Sequence, residues 1–244
     1  MEHSLLEAAL SGDKKSIARC ISLIENKYQG YEKLLAAAPK AQPPCIIGLT
    51  GPPGAGKSSL VDAWVAVLVA QQQRVAVLCV DPSSPMHSGA LLGDRIRMSR
   101  WYNEPQVYIR SLSSRGALGG LNPAVTDILK FLSACPFDRI IIETVGVGQS
   151  EVEVARLADL TVLVMVPESG DEVQFMKAGL IEMADLFVVN KSDRPGVDLF
   201  TLQLKNSVHD AKKVVNTIAV EGVGMQELDE RVQQQLTKKI NYYE

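Results

Sequence analysis

A glycine-rich loop constrains the fold of this chain more than any other segment. Residues 51–58 match the pattern G-x-x-x-x-G-K-[ST], after an apolar run and before a helix-forming stretch at 59–71. In that context the glycines let backbone N–H groups point inward, so that the loop and the helix N-terminus make a positive cradle for a β-phosphate. A chance glycine-rich turn is the alternative interpretation, but it requires neither the strand before nor the helix after. The predicted nucleotide contacts of this loop are Gly51, Pro52, Pro53, Gly54, Ala55, Gly56, Lys57, Ser58 and Ser59.

Short apolar runs alternate with amphipathic stretches from residue 43 onward. Some runs, such as 140–142, are apolar on both faces, which suits parallel strands covered by helices on each side. We therefore predict an α/β fold with a doubly wound, mostly parallel sheet, whose ligand lies beyond the carboxyl ends of the strands. The predicted strands lie near 45–50, 75–81, 107–110, 139–143, 160–166, 185–190 and 214–219.

The chain is predicted to form one nucleotide-binding domain, 43–244, behind a short N-terminal helical extension and linker, 1–42. A length of 244 residues suits a single large α/β domain. The helical period after Leu5 is broken at 11–13, which predicts two helices, and Pro39, Pro43 and Pro44 mark the linker. A final amphipathic helix is predicted at 225–240.

Charge and hydropathy exclude two classes of partner. The net charge is -3, and the Lys and Arg residues are scattered among acids, so no nucleic-acid surface is predicted. The longest apolar stretch, Ala63–Ala70, is far shorter than the roughly 20 residues that cross a bilayer, so no membrane partner is predicted. The start of the chain resembles neither a signal nor a transit peptide, which predicts a cytoplasmic protein.

A second motif, at residues 190–193, predicts which base the nucleotide carries. Asn190-Lys191-Ser192-Asp193 follows an apolar strand and has the form N-K-x-D. An aspartate carboxylate can accept from both N1–H and the N2 amine of guanine, a donor edge that adenine lacks, and such charge-assisted pairs are strong. Asn190 is expected to hold the loop and Lys191 to pack along the ring, while a polar helix cap is the alternative. After the last strand, Ala219, Val220 and Glu221 are predicted to touch the base from the other side.

Three acids at or near strand ends are candidate magnesium ligands. Asp81 ends the second strand, Asp94 follows in the next loop, and Glu143 ends the run 140–142. Magnesium prefers octahedral oxygen ligation and keeps several waters. We therefore expect Ser58 and one carboxylate to bind the ion directly while the other acids order waters; a helix cap is the alternative for each acid.

The residues after Glu143 predict a loop that senses the γ-phosphate. Residues 143–146 have the form D/E-x-x-G, in which the Gly146 N–H can bond the γ-phosphate and is released on hydrolysis. Gln149 could position the attacking water, although a surface glutamine is the alternative. Lys57 is expected to place its ammonium between the β- and γ-phosphates.

Together these segments resemble the ArgK/MeaB-type GTPases, metallochaperones of adenosylcobalamin-dependent acyl-CoA mutases such as methylmalonyl-CoA mutase. The resemblance runs from about Leu5 to the last helix and implies a P-loop NTPase fold of the SIMIBI-like type. Its most diagnostic part is Glu143-Thr144-Val145-Gly146-Val147-Gly148-Gln149-Ser150-Glu151. The other segments that carry it are Asp81-Pro82-Ser83-Ser84-Pro85, Gly93-Asp94-Arg95-Ile96-Arg97-Met98 and Asn190-Lys191-Ser192-Asp193.

The resemblance also implies ligands, partners and roles. Asp81, Asp94 and Glu143 match the family's magnesium-site acids, and 167–179 resembles a third switch that relays nucleotide state to the mutase. Family members hydrolyse GTP to gate cobalamin loading or to protect and rescue the mutase, without a cobalamin motif of their own, and D-x-H-x-x-G is absent here too. The implied ligands are Mg²⁺ and GTP or GDP, and the implied partners are the mutase and an adenosyltransferase. The implied catalytic set is Lys57, Glu143, Gly146, Gln149 and Lys177.

Two departures from the family pattern affect these expectations. Family members continue past the last helix into a dimerisation arm, whereas this sequence ends at Glu244, so the family's homodimer is left open here. The base-side loop reads Ala219-Val220-Glu221 where a serine-led loop is common, which weakens the expected guanine contacts.

Three other functions share part of this pattern. A nickel-insertion maturation GTPase would share both nucleotide motifs, but it would carry a Cys/His cluster, and the sequence has none. A small-molecule kinase would share the phosphate loop but would not need a guanine reader and two switch-like loops. A GTP-binding module that does not hydrolyse differs only in rate and stays open. For a hydrolase we expect slow intrinsic turnover, because no arginine is obviously placed to stabilise the transition state in cis.

Overall fold

The sheet is doubly wound, and all of its strands are parallel, as predicted. The computed structural model describes residues 2–37, 43–81, 83–84, 87–90, 98–113, 121, 123–144, 146, 150–167, 179–208, 210 and 213–243. The sheet's strands are β1 (Cys45–Thr50), β2 (Val75–Asp81), β5 (Val107–Ser113), β6 (Arg139–Thr144), β7 (Leu160–Met165), β8 (Leu186–Val189) and β9 (Val214–Asn216). They form a seven-stranded sheet in the order β5-β2-β6-β1-β7-β8-β9. Beside it, β3 (Ser83–Ser84) and β4 (His87–Ala90) form a small antiparallel hairpin.

The central strands are apolar on both faces because helices cover both faces. Every residue of β7 is buried, and Ile140, Ile141 and Ile142 of β6 are fully buried. Such strands cannot tolerate water on either side, which favours the parallel arrangement. The described helices are α1 (Glu2–Leu10), α2 (Lys14–Glu25), α3 (Tyr31–Ala37), α4 (Lys57–Ala70), α5 (Val125–Ala134), α6 (Ser150–Leu157), α7 (Leu180–Met183), α8 (Val197–Ser207) and α9 (Met225–Tyr243).

Two layers of helix sandwich the sheet. On one face, α4 and α9 bury Trp64, Leu68 and Leu228 against β1 and its neighbours. On the other face, α1, α2, α5 and α6 form a second apolar cluster with β2 and β6, and α7 and α8 pack on β7 and β8. The helices of the N-terminal extension therefore contribute to the core of the sheet domain. Within the described residues, no helix is long and apolar enough to span a membrane.

The structure differs from the sequence prediction in four elements. A third helix, α3, follows a reversal at Gly30, whose φ is 96°, and the β3–β4 hairpin was predicted as loop. The prediction ended β5 at Arg110, whereas the strand continues to Ser113. The prediction extended the last strand to Ala219, but β9 ends at Asn216 and a 3₁₀-helix begins at Ala219, because the chain turns there through the Ile218–Val223 bridge.

Candidate functional site

The glycine loop lies tightly between β7 and the loop that follows β8. Gly51 and Gly56 have positive φ values of 144° and 87°, in the region that disfavours side chains. A Cβ on Gly51 would collide with the Val164 carbonyl, and one on Gly56 would lie 2.5 Å from Asn190 Nδ2. The loop therefore needs glycine at both positions, for backbone conformation and for close approach.

Lys57, the first residue of α4, is curled back over the loop. Its side chain is buried, and Nζ donates to the carbonyl oxygens of Gly51 at 2.8 Å and Pro52 at 2.9 Å. The ammonium therefore lies inside the ring of backbone that the glycine motif predicts for phosphate binding. Pro53 and Gly54, at the tip of the loop, are exposed, and Ser59 is half-buried on the helix.

Ser58 and Glu143 meet at the base of the loop. Ser58 Oγ donates to Glu143 Oε1 at 2.7 Å, and both residues are buried. A hydroxyl and a carboxylate oxygen are hard ligands of the kind that Mg²⁺ prefers, so this pair fits the predicted metal position. Cys79 Sγ lies 3.9 Å from Glu143 Oε2 and was not predicted.

The described residues supply only part of a metal shell. No group of three His, Cys, Asp or Glu side chains that could hold a metal occurs in the part of the chain that the structure describes. This is the donor set expected for Mg²⁺, which keeps waters and takes phosphate oxygens as ligands. Asp81 ends β2 opposite Ser113, but its side chain lies outside the described set, as does all of Asp94.

Gly146 lies directly against the phosphate loop. Its φ is 92°, and an added Cβ would collide with the Gly51 carbonyl and lie 2.8 Å from Lys57 Nζ. The D/E-x-x-G segment that follows β6 therefore reaches the ammonium predicted to meet the γ-phosphate. Two other predicted catalytic residues, Gln149 and Lys177, lie outside the described residues, as does nearly all of the predicted third switch.

Asn190 connects three loops of the site. Its side chain is buried; Nδ2 donates to the Ala55 carbonyl at 2.8 Å, and Oδ1 accepts from Thr217 Oγ and the Ala219 N–H, each at 3.1 Å. The amide thus ties the phosphate loop to the chain after β9. Its predicted role in holding the loop has these contacts behind it, and Thr217 is a partner that the sequence analysis missed.

The remaining base-side residues line an open edge beside Asn190. Lys191 has a left-handed backbone with φ 57°, and its Nζ donates to the Gly54 carbonyl at 2.7 Å, so its stem crosses the mouth of the loop. Asp193 is exposed, as are Val220 and Glu221 of the 3₁₀-helix; Val220 is 84% exposed. An exposed carboxylate and an exposed apolar side chain on opposite sides of Lys191 suit a flat ring with a polar edge.

Glu151, in the first turn of α6, is a buried acid that the sequence analysis quoted without assigning it a role. It is 6% exposed, and burial raises the pKa of its carboxyl while the positive charge of Lys57 opposes that shift. Nothing in the sequence marks this glutamate as buried, because it is one of two acids in the first turn of its helix.

Comparison with protein families gives one match over most of the chain. The family model described as methylmalonyl-CoA mutase-associated GTPase MeaB matches residues 17–241. Three relatives are similar over most of this chain. A Pyrococcus horikoshii protein is 42% identical over 94% of this chain and 76% of its own length. GTPase ArgK of Escherichia coli is 38% identical over 75% of this chain and 56% of its own length. The fused isobutyryl-CoA mutase of Geobacillus kaustophilus is 41% identical over 78% of this chain and 18% of its own length.

A solved structure has the same fold. The crystal structure of an LAO/AO transport system kinase superposes with a TM-score of 0.77 at 27% identity, covering 96% of this chain and 74% of that one. The chain is therefore shorter than the relatives and the structure that it matches.

Proposed function

Because the chain belongs to the MeaB family of methylmalonyl-CoA mutase-associated GTPases, we propose that it binds GTP with Mg²⁺, hydrolyses it, and so acts as a chaperone of an adenosylcobalamin-dependent acyl-CoA mutase. Under this proposal the nucleotide state gates the loading, protection or reactivation of the mutase. A cytoplasmic location and slow intrinsic turnover belong to the same proposal.

The observation that carries the nucleotide part is the bridge made by Asn190. One buried amide bonds both the phosphate loop at Ala55 and the base-side loop at Ala219. Because the amide has no rotational freedom left, the distance between the phosphate site and the base edge is set by covalent geometry and three hydrogen bonds. That is what a pocket requires if it is to read a purine and hold its phosphates together.

Each residue of the site has a task in hydrolysis under this proposal. Lys57 would balance the charge of the β- and γ-phosphates, and the N–H groups of the glycine loop would bond their oxygens. Ser58 and Glu143 would hold Mg²⁺, which supplies charge stabilisation at the phosphates when bound. Gly146, already against Lys57, would report on the γ-phosphate through its N–H.

The partner part of the proposal is supported by two findings. The matching family is described by its association with methylmalonyl-CoA mutase, and one relative carries a related segment within a fused isobutyryl-CoA mutase. A segment fused to a mutase in one protein is a reasonable candidate for a separate subunit that docks on a mutase in another. An adenosyltransferase is a further partner under this proposal.

The base-reading assignment is tested by calorimetry with GDP and ADP. We expect wild-type protein to prefer GDP, and Asp193→Asn to weaken GDP binding by about 10- to 100-fold, because a charged hydrogen bond contributes about 1.5–3 kcal/mol. Asp198→Asn removes another exposed carboxylate a few residues away, on α8, and should change neither affinity. Unchanged selectivity in Asp193→Asn would refute the assignment, and a wild-type protein without guanine preference would refute the proposed function.

A further inference from the structure

Glu151 carries a buried carboxyl oxygen without a hydrogen-bond partner among the described residues. The residue is 6% exposed, and the unpartnered atom is Oε1. Leaving a buried acceptor unpaired costs roughly 1–3 kcal/mol, so natural proteins tolerate it chiefly where the group has another use. The position of the carboxyl shows what that use is.

The packing of α6 brings this carboxyl to the phosphate loop. Gly48 lets α6 lie close on β1: a Cβ there would be 2.8 Å from Val154 Cγ1. Glu151 precedes Val154 by one helical turn, toward the helix N-terminus, and in a right-handed parallel crossover that end lies beside the carboxyl ends of the strands. The carbonyl groups of Gly51 and Pro52, which hold Lys57, follow directly from that end of β1.

Lys57 connects Glu151 electrostatically to the γ-phosphate position. The Lys57 charge acts on the Glu151 carboxyl, and the same ammonium would be 2.8 Å from a Cβ on Gly146. The first turn of α6 and the loop after β6 therefore flank one ammonium, which is the group expected between the β- and γ-phosphates. A carboxylate here faces the side from which water must approach the γ-phosphorus.

We propose that Glu151 is the catalytic acceptor that holds the attacking water and takes its proton, an inference that rests on the proposed GTP hydrolysis. The water oxygen forms a bond to the γ-phosphorus while the bond from that phosphorus to the β–γ bridging oxygen breaks. The bridging oxygen keeps the electron pair and leaves on GDP. The proton of the water passes to Glu151 Oε1 and then to the inorganic phosphate, so that the carboxylate is regenerated.

Glu151 supplies what the predicted water-positioning residue does not. Gln149 could orient a water through its amide oxygen, but a neutral amide cannot accept the proton in this pH range. A carboxylate withdrawn from solvent is a stronger base than an exposed one, because burial raises its pKa toward the working pH. The two residues can therefore both contact the water, with Glu151 as the base.

The test is Glu151→Gln, which keeps the size and shape of the side chain and removes its basicity. In single-turnover hydrolysis of γ-labelled GTP with Mg²⁺, we expect the rate constant to fall about 100-fold or more. The dissociation constants of GDP and of a non-hydrolysable GTP analogue should stay within about threefold, because Lys57 and the glycine loop still bind the phosphates. The wild-type rate should fall at acid pH as the carboxylate is protonated, and this acid limb should be missing in the variant.

Glu153→Gln is the matched control on the same helix. Glu153 Oε2 accepts from the Leu121 N–H at 2.5 Å, a bond that a glutamine oxygen can still accept, so this variant should hydrolyse GTP at the wild-type rate. Wild-type turnover and an intact acid limb in Glu151→Gln would overturn the assignment. Equal losses of GTP affinity and rate would also overturn it, because they would make Glu151 part of the loop's framework. Wild-type protein that binds GTP but never hydrolyses it would instead refute the proposed function.

Discussion

A single amide side chain, that of Asn190, holds the two halves of the candidate site together. It is 2% exposed and makes bonds to Ala55, Thr217 and Ala219. The N-K-x-D motif predicted that this residue holds its own loop, but not that it also holds the phosphate loop. The partners lie 135, 27 and 29 residues away in sequence, so pairings of this kind follow only from the fold.

Replacing Asn190 by Ala should weaken both folding and nucleotide binding. The change leaves the buried Thr217 hydroxyl and two backbone groups without their partner, so we expect the free energy of unfolding in urea to fall by about 1–3 kcal/mol. GDP affinity by calorimetry should fall at least about tenfold as the two loops lose register. Thr217→Val, which removes one bond, is the control and should cost about 1 kcal/mol. A variant Asn190→Ala with unchanged GDP affinity would contradict the bridging role.

Residue types that carry motifs were predictable, and residues defined by burial were not. Lys57, Ser58 and Glu143 were assigned from spacing, and the structure places Lys57 over the loop and Ser58 on Glu143. Glu151 and Thr217 were missed because a glutamate near a helix start and a threonine after a strand are ordinary surface residues in most sequences. Only packing withdraws them from water.

At the scale of elements, apolar runs predicted every strand of the main sheet, and polar residues concealed one strand's true length. β5 continues through Arg110 and Ser111 because the Arg110 guanidinium pairs with Glu25 of α2 at 3.1 Å and bonds Ser22 Oγ. A strand carrying arginine is unfavourable by hydropathy alone, and the compensating acid lies on a helix 85 residues earlier. The N-terminal helices are thus integral to the sheet's edge, although the sequence suggested an extension.

The contribution of α2 to stability can be measured with one truncation. Ile21 is fully buried with Leu78 of β2 and Ile142 of β6, so Ile21→Ala should lower the free energy of unfolding by about 2–5 kcal/mol. Leu199→Ala removes an aliphatic side chain that is 63% exposed on α8 and should change stability by less than about 0.5 kcal/mol. Urea denaturation followed by circular dichroism compares the two. Equal, small effects would mean that the helical extension folds independently of the sheet.

At the scale of the whole molecule, the parallel sheet was predictable but its strand order was not. Apolar strands alternating with helices predicted a doubly wound sheet, whereas the order depends on which helices pack on which face. In the structure β1 lies between β6 and β7, which places the loops after β1 and β6 side by side. That juxtaposition brings Ser58 to Glu143, although 85 residues separate them.

The proposed partnership should appear as a change in turnover. Adding a methylmalonyl-CoA mutase-type enzyme to the wild-type protein should raise the rate of phosphate release at least about tenfold, since charge supplied in trans can contribute 10³–10⁵ in rate. Lys57→Ala in the same mixture controls for contaminating phosphatases and should release no more phosphate than the mutase alone. Equal rates with and without each candidate mutase would count against the chaperone mechanism.

The all-parallel topology also has a consequence for synthesis of the protein. The site draws on loops from Gly51 to Glu221, and the short edge strand β9 at Val214–Asn216 precedes the last of them. A nascent chain still on the ribosome therefore owns the phosphate cradle long before it owns the base-side loop. Recognition of the complete ligand becomes possible only when nearly the whole polypeptide has emerged and closed its long-range pairings, which are the slow ones to form. Guanine capture thus doubles as a proofreading signal for finished folding.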